Sequence, residues 1–166
     1  FFYDFDQHKE NKTILIIGNG LLYNHFLSFL KLNIDFFKKN GYKITYKLHP
    51  IEIPGWETRY KELKELNDSE RIKVITDQCS MAILIKKSEF VIGVNSTSIY
   101  ESLDSGCKVI ILDLQSSEYF DDLINSNIVK KKNPLIPISI IDLDFTHRKT
   151  IRFFDPSNKE LIKTVL

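Results

Sequence analysis

The stretch TILIIGNG, at positions 13–20, predicts the organisation of the chain around it. Five consecutive apolar or β-branched residues predict a buried strand, and the glycine–asparagine–glycine triplet after them predicts a tight turn. Apolar residues then recur at helical spacing over residues 21–39, and Asn40-Gly41 indicates where that helix ends. The region therefore predicts one strand–turn–helix unit.

The same alternation of strand and helix continues towards the C-terminus. Further strands are predicted over residues 42–48, 72–76, 90–94 and 108–112. Helices are predicted over residues 56–66, 79–87, 95–103 and 118–125, and a terminal helix over residues 157–166. Nearly continuous apolar strands that alternate with helices are typical of a parallel sheet covered on both faces. We therefore expect one α/β domain over residues 1–166, with a doubly wound, Rossmann-like parallel sheet.

Composition and charge narrow the classes of function. The chain is 43% apolar and 27% charged with a net charge of +1, values that are ordinary for a globular protein and that argue against nucleic acid as a partner. The run Lys130–Lys132 is predicted to be a solvated loop, with a contact to a membrane surface or an acceptor as the alternative. Two cysteines, Cys79 and Cys107, make no disulfide framework, and no stretch has the length of a membrane span or the pattern of a signal peptide. We expect a cytoplasmic location.

Polar residues follow each predicted strand at its carboxyl end, which is where open parallel sheets bind ligands. These residues are Gly18, Asn19 and Gly20 after the first strand, His49 and Pro50 after the second, Asp77 after the third, Asn95, Ser96, Thr97 and Ser98 after the fourth, and Asp113 after the fifth. Their placement predicts a ligand site at that edge of the sheet.

His49 carries the clearest chemistry of this set. The proline after it restricts its backbone, and an imidazole can donate to a phosphate oxygen. A hydrogen-bonded structural histidine in a turn is the alternative. For Gly18 and Gly20, close approach of the backbone to a ligand and a plain strand-to-helix turn both remain open.

Residues 95–98 place an amide and three hydroxyls where a helix begins. The N–H groups of a helix start favour an anion, whereas simple capping needs only one such residue. With Ser98 as the cap, Glu101 could complete a capping box, or its carboxylate could accept a hydrogen bond from a ribose hydroxyl. Asp-x-Asp spacings occur only at Asp4–Asp6 and Asp142–Asp144, away from these motifs, so we expect neither a metal nor a cofactor.

Two segments together resemble a known family. They are YKLHP at positions 46–50 and VIGVNSTSIYESLDSGCKVI at positions 91–110. This pair resembles the C-terminal domain of GT-B glycosyltransferases, most of all bacterial surface-polysaccharide enzymes with an HP motif and a later SS or ST motif. That group includes sialyl- and polysialyltransferases, capsule Kdo transferases and teichoic-acid glycerophosphotransferases. The similarity covers roughly residues 14–114.

The resemblance implies a glycosyltransferase whose donor half is this chain. It implies a CMP-, CDP- or UDP-activated sugar as donor, a glycan or lipid-linked acceptor, and peripheral association with the inner face of the membrane. It makes His49 the catalytic residue and makes His49, Ser96, Thr97 and Ser98 contacts of the donor phosphate. Together with the placement at the strand ends, this assigns donor binding to Gly18, Asn19, Gly20, His49, Pro50, Asn95, Ser96, Thr97, Ser98 and Glu101. Here Ser96-Thr97-Ser98 replaces a plain Ser-Ser pair, which leaves the donor open. The family's general base lies in an N-terminal acceptor domain that we expect to be absent from this chain.

Two other functions remain open at this level. One is a nucleotide-sugar epimerase of the same architecture, and the other is a non-catalytic GT-B-like binding module. A receiver-like signalling domain is disfavoured, because it needs acidic residues after the first strand.

Because the sequence begins at Phe1, in an aromatic stretch without Met, we expect a piece of a longer protein that folds alone and turns over no donor.

Overall fold

A computed structural model describes residues 12–76 and 80–146, and a six-stranded sheet lies at its centre. The strands are β1 (Thr13–Ile17), β2 (Lys43–Lys47), β3 (Lys73–Ile75), β4 (Phe90–Gly93), β5 (Lys108–Leu112) and β6 (Lys130–Lys132). Their spatial order is β3-β2-β1-β4-β5-β6, and every neighbouring pair is parallel. The strand order reverses between β1 and β4, which are direct neighbours. This topology confirms the predicted Rossmann-like sheet.

Helices cover both faces of the sheet. They are α1 (Tyr23–Lys39), α2 (Trp56–Arg59), α3 (Lys61–Asp68), α4 (Met81–Lys87), α5 (Ser98–Asp104) and α6 (Asp121–Asn125). The alternating residues of β1 divide the core between the two faces. Ile14 and Ile16 join a cluster with the apolar side of α1, whereas Leu15 and Ile17 join a cluster with α4, α5 and α6. The sheet is therefore doubly wound, as predicted.

The run of three lysines is strand β6, so the prediction of a solvated loop was wrong. Lys131 Nζ lies 3.2 Å from Asp113 Oδ1, and Lys132 Nζ lies 2.9 Å from Asp142 Oδ2. The Lys132 side chain is only 11% exposed. Backbone pairing with β5, together with acidic partners for two of the three ammonium groups, allows a lysine run to form an edge strand.

The helix predicted over residues 56–66 is divided at Tyr60. This residue has φ −116° and ψ 55°, which ends α2 and precedes α3. Its ring stacks on Tyr23 at the start of α1, with the ring centroids 3.8 Å apart. Packing between aromatic rings thus accompanies the break, and the periodicity of the sequence does not show it.

The segment after β6 returns to the face that α1 covers. Ile138 and Leu143 are buried in the same cluster as α1. The fully buried side chain of Asn33 in α1 donates to the carbonyl of Phe29 and accepts from the Ile138 N–H at 2.6 Å. A satisfied buried amide therefore anchors the C-terminal part of the described chain.

Several sequence-based predictions lie outside the described residues. They concern Phe1, Asp4, Asp6, Asp77, Cys79 and the helix over residues 157–166. Within residues 12–76 and 80–146, no helix has both the length and the apolar character needed to span a bilayer.

Candidate functional site

Three loops meet at the carboxyl edge of the sheet. They follow β1, β2 and β4, which are adjacent because β1 lies between the other two. Asn19 follows β1, His49 follows β2 and Asn95 follows β4. The reversal of strand order between β1 and β4 opens a crevice at this edge, and such crevices bind ligands in doubly wound proteins. The predicted residues of these three loops therefore share one edge.

A direct hydrogen bond joins two of the loops. Asn19 Nδ2 donates to Asn95 Oδ1 at 3.0 Å. The orientation of Asn19 is fixed independently, because its Oδ1 accepts from the Leu21 N–H at 3.1 Å and so caps the 3₁₀ turn Gly20–Leu22. Asn19 therefore serves the turn after β1 and the loop after β4 at the same time.

His49 is exposed and begins the 3₁₀ turn Pro50–Glu52. Its backbone is extended, with φ −65° and ψ 146°, as the following proline favours. Its Nδ1 accepts from the Ile51 N–H at 3.3 Å. A neutral ring that accepts at Nδ1 carries its proton on Nε2, so Nε2–H remains available to a ligand. The two hypotheses for His49 are thus compatible, since one ring nitrogen caps the turn and the other can bind.

Glu52 belongs to this region and was not predicted as a site residue. Its side chain is fully buried, and its Oε2 accepts from the His49 N–H at 2.6 Å. With the bond from Ile51 to His49 this makes a reciprocal capping box. The spacing His-Pro-x-Glu, which resembles a capping box with proline at the first position, is the signal that could have indicated it.

Gly18 and Gly20 pack against Glu52. A Cβ on Gly18 would lie 2.8 Å from Glu52 Oε2, 2.9 Å from the Lys47 carbonyl and 2.9 Å from Tyr46 Cε1. A Cβ on Gly20 would lie 3.1 Å from Glu52 Cγ. Gly18 is buried, so its lack of a side chain serves internal packing and not the approach of a ligand. Gly20 is partly exposed beside it.

The loop after β4 differs in detail from the prediction. Thr97 precedes α5 as its cap residue, and Ser98 is the first helical residue, so the prediction of Ser98 as the cap was wrong, and the capping-box alternative for Glu101 does not hold. Ser96 Oγ instead accepts from the Ser98 N–H at 3.3 Å. Buried Ile99 holds the helix start against β4, since it fills the space beside Gly93. Asn95, Thr97 and Glu101 are exposed, and Ser96 is partly exposed.

Donors of the loop after β4 remain available to a ligand. In the described part of the chain, no acceptor pairs with the N–H groups of Ser96 and Thr97 or with the Thr97 hydroxyl. Because α5 has only seven residues, its dipole adds little, and anion binding here depends on these individual donors.

Asp113 does not join the three loops. Its carboxylate pairs with Lys131 of β6, and it accepts a long hydrogen bond of 3.4 Å from Ser117 Oγ. Among residues 12–76 and 80–146, no three His, Cys, Asp or Glu side chains are grouped as a metal site would need.

A cavity of about 720 Å³ lies elsewhere, near the amino ends of β1, β2 and β3. Its lining includes Thr13, Lys43, Arg71, Lys73 and Lys87. None of the predicted site residues lines it. The convergent polar groups and the topology favour the carboxyl edge as the ligand site.

The fold and the three loops define a doubly wound α/β protein of the Rossmann-like class, with its polar loops at the point where the strand order reverses. The chain is similar to an uncharacterized protein of Methanocaldococcus jannaschii, with 31% identity over 118 residues. The match covers 68% of this chain and 20% of the archaeal protein, so the chain spans about a fifth of that relative's length. No protein-family model matches the sequence.

Proposed function

We propose that this chain is the donor-binding half of a GT-B glycosyltransferase that acts in the synthesis of surface polysaccharides. In this proposal a nucleotide-activated sugar with CMP, CDP or UDP binds at the carboxyl edge of the sheet. The observation that carries the proposal is the hydrogen bond from Asn19 to Asn95, which joins the loops after β1 and β4 at the edge of the sheet where His49 follows β2.

The donor phosphate is assigned to the crevice between these loops. His49 Nε2–H, the Thr97 hydroxyl and the N–H groups of Ser96 and Thr97 are all hydrogen-bond donors, as a phosphate requires. Charge that develops on the leaving phosphate during transfer would be stabilised by the same donors, without a metal ion. Asn95 Nδ2 adds a donor at the rim, because its Oδ1 is already bound to Asn19.

The arrangement of carboxylates favours a transferase over an epimerase. An epimerase of this architecture would need carboxylates that face the cleft. Glu52 is buried beneath Gly18 and Gly20, and Asp113 is paired with Lys131. In the described part of the chain this leaves exposed Glu101 as a single carboxylate of the predicted site, fewer than the catalytic set of an epimerase needs. The acceptor site and the general base are assigned to the rest of a longer protein, as are the glycan or lipid-linked acceptor and any contact with a membrane.

Calorimetric titration of the 166-residue chain with CMP, CDP, UDP and ADP tests the proposal. We expect saturable one-to-one binding of at least one pyrimidine nucleotide. His49→Asn is the matched variant, because its amide oxygen can replace the Nδ1 acceptor whereas the Nε2–H donor is lost. It should weaken that binding by about 1.5–3 kcal/mol. A non-catalytic scaffold binds none of the four nucleotides, and equal affinity of His49→Asn would remove His49 from the site.

A further inference from the structure

We propose that the buried carboxylate of Glu52 positions His49 in the nucleotide site, and that its ionisation sets how firmly the histidine is held. The assignment rests on the proposed function, because it gives His49 its task. Glu52 does not itself reach the ligand, since its side chain is fully buried. It is a positioning residue.

The geometry connects Glu52 to two of the three loops. Its Oε2 accepts the His49 N–H at 2.6 Å, and the same oxygen lies against Gly18 in the loop after β1. Its methylene groups lie against Gly20. A shift of this carboxyl would therefore move His49 relative to the loop that carries Asn19.

Arg59 of α2 holds the turn around Glu52 from the other side. Its Nη2 donates to the carbonyls of Glu52 and Pro54, each at 2.7 Å, and to that of Ile51 at 3.3 Å. The guanidinium thus fixes the backbone of the turn and leaves the carboxyl of Glu52 to His49. This division of tasks makes the position of His49 sensitive to the state of one carboxyl group.

The second oxygen of Glu52 shows that the carboxylate is not optimised for stability. Within residues 12–76 and 80–146, buried Glu52 Oε1 has no hydrogen-bond partner. A buried charge with an unsatisfied oxygen destabilises a fold. The charge is therefore retained at a cost to stability, and it acts on the hydrogen bond that Glu52 Oε2 accepts from the His49 N–H.

The groups that face Glu52 determine its titration. Burial raises its pKa, whereas the His49 N–H bond and the charges of His49 and Arg59 act to lower it, and burial prevails. Tyr46 from β2, Tyr23 from α1 and Tyr60 after α2 also face it. They are neutral near pH 7, because burial raises the pKa of each phenol.

Rising pH has opposite effects on the stability of the fold and on the hydrogen bond from His49 to Glu52. Because the folded pKa exceeds the unfolded one, the contribution of Glu52 to stability is greatest below the unfolded pKa and is lost as pH rises through the folded pKa. The hydrogen bond from His49 changes in the opposite direction, since an ionised acceptor binds an N–H more strongly. Rising pH should therefore hold His49 more firmly while it reduces stability.

The isosteric variant Glu52→Gln tests the proposal without any ligand. Ring ¹⁵N shifts of His49, followed by NMR across the acid range, should show a second inflection in the wild-type chain, from Glu52. In Glu52→Gln this inflection should disappear, and the Nε2–H tautomer should be less populated. The difference in unfolding free energy between the two proteins should also shift with pH in favour of the variant as pH rises.

The affinity for CMP is the second measurement, and it shows whether the position of His49 matters for binding. Glu52→Gln should bind it about five- to tenfold more weakly at neutral pH, the factor expected when a charged acceptor becomes neutral. Glu52→Asp provides a second variant, because it keeps the charge but withdraws it from the His49 N–H, and it should weaken CMP binding as well. Thr13→Val, which removes a buried unpaired hydroxyl at the amino end of β1, is the control and should leave the His49 ring shifts and CMP affinity unchanged.

Two results would overturn the proposal. One is an unaltered His49 ring titration in Glu52→Gln, and the other is a variant that loses stability at every pH while it binds CMP as the wild type does. If the wild-type chain binds no nucleotide, the proposed function fails, but the ring titration still decides whether Glu52 positions His49.

Discussion

Asn19 Nδ2 donates to Asn95 Oδ1 across 3.0 Å and joins two loops whose residues lie 76 positions apart in the sequence. The loops follow β1 and β4, the neighbouring strands between which the order of the sheet reverses. Each asparagine uses one end of its amide for this bond. Asn19 Oδ1 is engaged by the Leu21 N–H, and Asn95 Nδ2 remains available at the rim of the crevice. The pair therefore fixes the loops after β1 and β4 to each other.

A double-mutant cycle should measure this contact. We expect Asn19→Ala and Asn95→Ala to couple by about 0.5–1 kcal/mol in urea unfolding, because an exposed neutral hydrogen bond contributes at the lower end of the usual range. Asn19→Ala should be the more destabilising single change, since it also removes the cap of the following turn. Additive effects of the two changes would show that the bond does not form in solution.

Two variants of His49 should distinguish the roles of its two ring nitrogens. His49→Asn keeps an acceptor near Nδ1 and should retain stability, whereas nucleotide affinity falls. His49→Gln places an amide N–H near Nε2 and should keep more of the affinity, but it should lose about 0.5–1 kcal/mol of stability with the cap on Ile51. Calorimetry and urea unfolding of both variants check this. The reverse ranking would assign the ligand to Nδ1.

Gly18 and Gly20 should differ sharply in their tolerance of a methyl group. Gly18→Ala places a Cβ within 3.0 Å of Glu52 Oε2, the Lys47 carbonyl and Tyr46 Cε1, two of which lie in packed or backbone positions, and should destabilise the fold by about 1–3 kcal/mol. Gly20→Ala, at a partly exposed position, has its nearest contact with Glu52 Cγ at 3.1 Å and should cost less than about 1 kcal/mol. Thermal and urea unfolding distinguish them, and equal losses would contradict the packing described around Glu52.

Stability should depend on Asp142 at neutral pH and not in acid. Partial burial acts to raise the pKa of Asp142, but hydrogen bonds from Lys132 Nζ and from the N–H and hydroxyl of Ser139 outweigh it, so the pKa is lowered. A carboxyl with a depressed folded pKa stabilises above its unfolded pKa, and this stabilisation is lost as pH falls through the folded pKa. Asp142→Asn should therefore be less stable than the wild type at pH 7.

The difference between Asp142→Asn and the wild type should narrow as pH falls below about 4. Asp122→Asn, which changes an exposed carboxylate in α6, is the control and should show a small difference. A constant difference for Asp142→Asn across the pH range would mean that the charge of Asp142 does not anchor β6 to the segment after it.

Local sequence patterns were enough to predict most strands of the sheet. The strands Thr13–Ile17 and Lys108–Leu112 have the predicted bounds, because long apolar runs in a parallel sheet leave little ambiguity. β6 was missed, because three lysines have a low strand propensity and their pairing depends on β5 and on distant acidic partners. The break at Tyr60 was missed for a similar reason, since stacking on Tyr23 joins residues that are far apart in the sequence.

The candidate site was only partly predictable. Parallel topology brings every strand-end residue to one edge, so the common location of Asn19, His49 and Asn95 follows from a correct strand assignment. Glu52 could not be found from burial preferences, because glutamate is rarely buried and only the tertiary structure shows its position under Gly18. The helix cap is Thr97 and not the predicted Ser98, a difference of one residue that sequence patterns do not resolve.

Mapping of nucleotide binding by amide NMR tests the central claim most directly. Titration of the ¹⁵N-labelled 166-residue chain with CMP, CDP, UDP and ADP should perturb the backbone amides of Gly20, Ser96 and Thr97, the side-chain amides of Asn19 and Asn95, and the ring of His49. Residues of the cavity at the amino ends of the strands, such as Lys43, Arg71 and Lys73, should remain unchanged. Perturbations confined to that cavity, or none with any of the four nucleotides, would contradict a nucleotide site at the carboxyl edge.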